Sequence, residues 1–208
     1  MVMSGGAVAT ACEKLCERIQ LIGAHLLQAE LEDTQVEDGY VKAPSGQISL
    51  IDVARTWYHR PQDLPADVDR QGLEVTAGYK PRRDDGTFSY AAHAAVVAID
   101  PNFGIVEITK YVVVEDGGVL INPMIVDGQI LGGAAQGIGT ALYEEMPFDE
   151  NGQPLFSTLA DYVLPGATEV PNIHIEHMET PSPYSLFGQK GIGEGGAIGS
   201  VAAVTNAV

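Results

Sequence analysis

Residues 88–116, FSYAAHAAVVAIDPNFGIVEITKYVVVED, decide the fold. Two apolar runs rich in β-branched residues flank Asp100-Pro101-Asn102-Phe103-Gly104, and turn residues between such runs predict a β-hairpin. The Ala-rich composition of the first run predicts a strand buried on both faces. Outward from the hairpin, LEVTAGYK (73–80) predicts a preceding strand, and IHIEHME (173–179), after Pro171, a later one. Between them PMIVDGQILGGAAQGIGTALYEE (123–145) predicts a long helix with Pro123 in its first turn. At the other end of the chain, Ala7, Ala11, Leu15, Ile19, Ile22 and Leu26 recur at spacings of three and four, so 7–31 predicts a helix. Ser4-Gly5-Gly6 precedes it as a loop and N-cap region. A shorter helical pattern covers 48–59, and Arg60 to Gly72 reads as a surface connection. A final helix begins near Ala197 and its pattern runs to Val208 without a stop signal, so the chain is expected to be a portion of a longer one. The expected class is α+β, a mixed sheet with packed helices: about 1–60 mainly helical, about 70–208 strands and helices.

Composition narrows the partners. The chain has 208 residues, 45 % of them hydrophobic, enough for a buried core. Lys and Arg number 11 against 28 Asp and Glu, a net charge of −17. Such a surface binds polyanions poorly, which argues against nucleic acid and anionic membranes. No apolar run approaches the ~20 residues of a membrane span. The N-terminus lacks the basic and apolar regions of a signal peptide, and the expected location is the cytoplasm. Cys12 and Cys16, the only cysteines, are four apart and share a helix face. With no further ligands nearby they read as two small buried thiols, not as half a metal site.

Two segments carry candidate chemistry. Gly188-Gln189-Lys190-Gly191-Ile192-Gly193-Glu194-Gly195-Gly196 is a glycine-rich loop leading into a helix, where backbone N–H groups approach a ligand closely. It places a carboxylate, Glu194, where a phosphate loop would avoid one, and it matches no nucleotide-binding pattern. A loop that aims a general base suits it, and so does a plain turn with an N-terminal Glu; composition leaves the two equal. In Asp127 to Gly139, DGQILGGAAQGIG, five glycines load a predicted helix at a cost of ~1 kcal/mol each relative to Ala. Either a ligand or another backbone must approach them, and Gln129 and Gln136 offer amides to a polar ligand. Close helix packing with solvent-facing amides is the simpler account of that segment. His174 and His177, three apart in a strand, face opposite sides and cannot chelate one metal easily; with His25, His59 and His93 they read as structural or surface residues. Neither Ser157 nor Ser185 has a G-x-S-x-G setting.

The order of motifs is more specific than any one of them. EDGGVLINPMIVDGQILGGAAQGIGTALYEE (115–145), DYVLPGATEVP (161–171) and TPSPYSLFGQKGIGEGGAIGSVAAVTNAV (180–208) closely resemble the C-terminal part of the large subunit of molybdenum hydroxylases, the family of xanthine dehydrogenase, aldehyde oxidase and aerobic carbon monoxide dehydrogenase. The resemblance covers essentially the whole chain. It implies that residues 1–208 are part of a molybdopterin-binding domain, with the rest of that subunit lying outside them. It implies that Glu194 is the base beside molybdenum, taking a proton from a hydroxyl that attacks an electrophilic carbon of an aldehyde, N-heterocycle or CO-like substrate. By the same resemblance Gln129 hydrogen-bonds the molybdopterin, Gly191 and Gly193 let the loop lie against it, Lys190 matches the family's lysine there, and Ser4 and Gly5 border another cofactor loop. The cofactor implied is molybdenum-molybdopterin, its cytosine dinucleotide form included, with iron–sulfur clusters and FAD on partner subunits. The copper-bridging cysteine of a carbon monoxide dehydrogenase has no counterpart in the context of Cys12 or Cys16. A non-catalytic assembly module, or an inactive fragment of such a subunit, is the alternative.

Overall fold

The computed structural model describes residues 2–69, 72–83 and 86–208. It divides into two compact units, Met3–Lys80 and Pro81–Val208.

In the first unit, helix α1 spans Val2–Leu27 and so takes in Ser4, Gly5 and Gly6, which the sequence reads as a loop. The reason is tertiary. The ring of Tyr79 occupies the space a side chain on Gly6 would need, so glycine here serves packing and not a turn. The helix ends at Gln28, whose φ of 51° is left-handed. A meander follows that the sequence reading misses: β1 (Gln35–Glu37), β2 (Tyr40–Ala43) and β3 (Gly46–Ser49), paired antiparallel in that order. Its strands are too short to show a period, although Asp38-Gly39, both at positive φ, is a recognised hairpin turn. Helix α2 (Leu50–His59) starts where expected, the Ser49 hydroxyl accepting from the Asp52 N–H at 3.0 Å. Ile22, Val41, Val53 and Val68 form the core. Val68 thus anchors the 60–72 connection instead of leaving it on the surface; Arg70 and Gln71 lie outside the described residues. LEVTAGYK forms no strand. Its β propensity goes unused because no strand of the sheet pairs with it. Cys12 is exposed and Cys16 half-buried, so the expectation of two buried thiols fails: they lie off the face that packs Ile22.

The second unit is built on the expected hairpin, β4 (Tyr90–Ile99) with β5 (Val106–Asp116). Helix α3 (Pro123–Leu142) follows, capped by the Asn122 side chain, then β6 (Ile173–Met178) and α4 (Gly195–Ala207). The sheet order is β4-β5-β6, with β4 antiparallel and β6 parallel to β5. A parallel neighbour needs a crossover, and the chain through α3 supplies it. Tyr111 and Val113 of β5, Val126, Ile130, Ala134 and Ile138 of α3, and Val204 of α4 form the core. The helices cover one sheet face only, so β4 alternates between half-buried and exposed and is not buried on both faces as its composition suggests.

The glycines of α3 divide by direction. Side chains at Gly133 and Gly137 would collide with α4, at the Gly196–Ala197 backbone and at Ser200. Gly128 and Gly132 face open space. Close packing and an open surface therefore share one helix.

Candidate cofactor and catalytic site

The site begins at the end of β5. Asp116 has a fully buried side chain. It accepts hydrogen bonds from the Gly118 N–H at 2.9 Å and the Thr180 N–H at 3.2 Å, and Lys190 Nζ lies 3.0 Å away. Burial pushes the carboxyl up, but bonds from Thr180, Tyr90, Gly118 and Lys190 outweigh it and hold the group well below the usual carboxylate range. Lys190 also lies 4.7 Å over the Tyr90 ring. Backbone bonds complete the anchor: Lys190 N–H to Gly117 O at 2.8 Å, and Val119 and Ser182 N–H to Gly188 O at 3.1 and 2.9 Å. Gly118, with φ of 67°, admits the Gly188 carbonyl where a side chain would block it. The 188–196 loop is thus fastened to the end of the sheet at its first half.

Its second half is free to face a ligand. Gly191, Gly193 and Glu194 are exposed. Glu194 is the N-cap residue of α4, yet its side chain makes no capping hydrogen bond. The carboxylate is therefore not consumed by the helix, which separates it from the plain-turn account. Gln129, exposed on α3, donates from Nε2 to the Gly193 carbonyl at 3.2 Å. This joins the two sequence segments in space and leaves the Gln129 oxygen for a donor on a ligand. Around them no atom lies within 4 Å of where a side chain on Gly128, Gly132 or Gly193 would begin. A cleft of about 280 Å³ adjoins the loop, lined among others by Arg83, Phe88, Thr180, Tyr184 and Lys190.

The structure thus brings together Gln129, Lys190, Gly191, Gly193 and Glu194. Lys190 differs from what the resemblance implies: its ammonium is committed to Asp116 inside the protein, so it secures the loop. Ser4 and Gly5 belong to the first unit, in the first turn of α1. Sequence reasoning misses Asp116, Glu115, His177 and Asp127. The signal for the acidic pair is available: inward positions of β5 run Tyr111, Val113, Glu115, and an acid in that alternation is out of place. Among the described residues no group of three or more His, Cys, Asp or Glu is disposed to hold a metal. No described helix is long and apolar enough to cross a membrane.

An open glycine-walled surface with one free amide and one uncapped carboxylate fits an extended polar cofactor, and the chain belongs to the molybdopterin cofactor-binding domain family, whose profile matches residues 1–171. The large subunit of nicotine 6-hydroxylase from Paenarthrobacter nicotinovorans is 39 % identical over 210 residues, covering 100 % of this chain and 25 % of that protein. The carbon monoxide dehydrogenase large chain of Hydrogenophaga pseudoflava is 35 % identical, over 99 % of this chain and 25 % of its own length. Among solved structures, quinoline 2-oxidoreductase from Pseudomonas putida 86 superposes with a TM-score of 0.81 at 41 % identity, covering 92 % of this chain and 24 % of that one. The chain spans about a quarter of the length of the curated relatives it matches.

Proposed function

We propose that this chain forms one wall of the active site of a molybdenum hydroxylase, an oxidoreductase that places water-derived oxygen on an electrophilic carbon of a small molecule, with Glu194 as general base. The observation that carries the reading is the uncapped, exposed Glu194 carboxylate at the head of α4, on a loop fastened behind it and open in front. When bound, the molybdenum cofactor supplies two-electron redox chemistry and Lewis acidity that makes a water-derived proton removable near neutral pH. Glu194 then takes that proton on a carboxylate oxygen. Gln129 orients the pterin through its amide, and the side-chain-free surface of Gly128, Gly132, Gly191 and Gly193 lets the cofactor lie against backbone. Ser4 is exposed and Gly5 faces open space, which suits the edge of a second cofactor loop at the N-terminus of α1.

Two of the relatives at higher identity are named for nicotine and quinoline, so an N-heteroaromatic ring is the substrate class we favour over carbon monoxide. The remainder of the molybdopterin subunit, an iron–sulfur subunit and a flavin subunit carrying FAD complete the assembly. We take the cofactor to be molybdopterin in its cytosine dinucleotide form and the location to be the cytoplasm.

The test is Glu194→Gln in the full-length holoenzyme. Molybdenum content should stay near one per subunit while kcat falls ~10²–10⁴-fold, the usual loss for a positioned general base. Near-normal kcat would remove Glu194 from that role. Wild-type protein without molybdenum, from a host that makes the cofactor, would favour an assembly module.

A further inference from the structure

Glu115 is buried, ionisable and unused by the chemistry above. It is 1 % exposed, and neither carboxyl oxygen has a hydrogen-bond partner among the described residues. It shares the inner face of β5 with the core residues Tyr111 and Val113. Its carboxyl fills the space beside Gly195, the first residue of α4, so closely that a side chain at Gly195 would collide with it. Glu194 is the next residue back along the chain. Across the parallel register Glu115 is paired with His177 of β6. Nδ1 of His177 is likewise buried with no partner among the described residues, while Nε2 donates to Asp127 Oδ1 at 2.7 Å. The Asp127 side chain is 48 % exposed, on α3 two residues before Gln129. Three titratable groups therefore run from solvent inward and end beneath the peptide that carries Glu194. The other surroundings add no charge of their own to Glu115: β4 sets Ala91 opposite it, α4 brings Gly195 with Glu194 at its head, and the adjacent Asp116 is paired with Lys190.

We infer that Glu115 is a positioning residue for Glu194, holding a proton beneath the first turn of α4 and exchanging it with solvent through His177 and Asp127. The inference rests on the reading of Glu194 as the base. Burial without donors pushes the Glu115 carboxyl up, and His177 pulls it back in part. While neutral, Glu115 lets Gly195 sit against it. Ionised, it places a second negative charge inside the helix end that bears Glu194, and relief requires hydration or a shift of the Gly195 peptide. The proton leaving Glu115 passes to His177 Nδ1. The imidazolium so formed releases its Nε2 proton to Asp127, which hands it to water. One proton has then left the protein and Glu115 carries one negative charge. A small rotation or one water closes the distance between Glu115 and His177 Nδ1.

The experiment is infrared difference spectroscopy on the full-length holoenzyme, wild type against Glu115→Gln and His177→Gln, across pH. Wild type should show at neutral pH a deuterium-sensitive C=O stretch of a neutral carboxylic acid that Glu115→Gln lacks. It should fade as pH rises, and His177→Gln should move its midpoint upward by about one pH unit or more. In turnover, Glu115→Gln should move the alkaline limb of the kcat profile upward with KM unchanged. Absence of the band at neutral pH, or its persistence in Glu115→Gln, overturns the proposal, as does an unmoved alkaline limb. If Glu115→Gln fails to fold, the His177→Gln midpoint decides alone: an unchanged midpoint overturns the relay. The infrared band reports on Glu115 whatever the reaction, so loss of the Glu194 assignment would leave it in place.

Discussion

The carboxylate of Asp116 is fully buried and remains charged because donors from three parts of the chain converge on it: the turn after β5, Thr180 and Lys190. Removing one partner of a buried pair usually costs more than the pair contributes, since the remaining charge loses its compensation. Lys190→Met should therefore lower the stability of the full-length subunit by ~3 kcal/mol, read as a fall in Tm. It should also lower molybdenum occupancy, because the loop loses its fastening while Glu194 and Gln129 are intact. An unchanged Tm would mean the backbone bonds of Gly117 and Gly188 suffice. The pH dependence has a definite sign. The folded Asp116 binds its proton less readily than the unfolded chain does, so its stabilisation is present above the ordinary Asp range and is lost as pH falls below it. At this scale the sequence is legible for Glu194 and Gln129, whose chemistry stands out beside glycine. It is not legible for Asp116, whose partners lie far away along the chain.

At the scale of elements, the packing of α3 against α4 yields a contrast within one helix. Gly133→Ala would drive a methyl into the α4 backbone, where nothing flexible can yield, and should destabilise the subunit by about 1–3 kcal/mol. Gly132→Ala, one residue away, meets open space; it should leave the cofactor-free protein equal or more stable, by up to ~1 kcal/mol of helix propensity. In the holoenzyme the same change should reduce molybdenum content, since the methyl stands on the surface assigned to the cofactor. Denaturant titration and metal analysis of the two variants side by side separate the roles; equal molybdenum in Gly132→Ala and wild type would move the cofactor off this face. The sequence shows that something must approach these glycines but not which ones, because the periodicity of α3 is blurred by small residues on all sides. The hairpin and α2 are legible from turn chemistry and a cap. The β1–β3 meander is not, since three- and four-residue strands carry no measurable alternation. The start of α1 is hidden because Tyr79, which accepts Gly6, lies far along the chain.

For the whole molecule, the buried groups bound the useful pH range. Desolvation keeps His93 neutral and pulls its pKa down, while its Nδ1 shares a hydrogen bond with the Tyr111 hydroxyl at 3.0 Å. That contribution is complete above the ordinary histidine range and declines as pH falls through the lower folded value. Burial pushes the Tyr111 hydroxyl up to about 12. Its contribution is complete below pH ~10, the unfolded value, and is lost as pH rises toward 12. Tyr111→Phe should abolish that alkaline loss in a Tm-against-pH series, and an unaltered alkaline slope would assign it elsewhere.

The sheet order also sets a sequence of events in time. β4 and β5 are neighbours along the chain and need only a five-residue turn to meet, whereas β6 must return across α3 and a long connection before it can pair with β5. Contacts between distant segments form late, because loop closure precedes their reward. Every bond that shapes the base-bearing loop is of this late kind, since Asp116 to Lys190 and Gln129 to Gly193 both span more than sixty residues. Pulsed hydrogen exchange during refolding should find β4 and β5 amides protected before those of residues 189–197. A newly made chain thus passes through a stage with a finished hairpin and an unformed mouth, and the cofactor has to be received at or after the last step of folding.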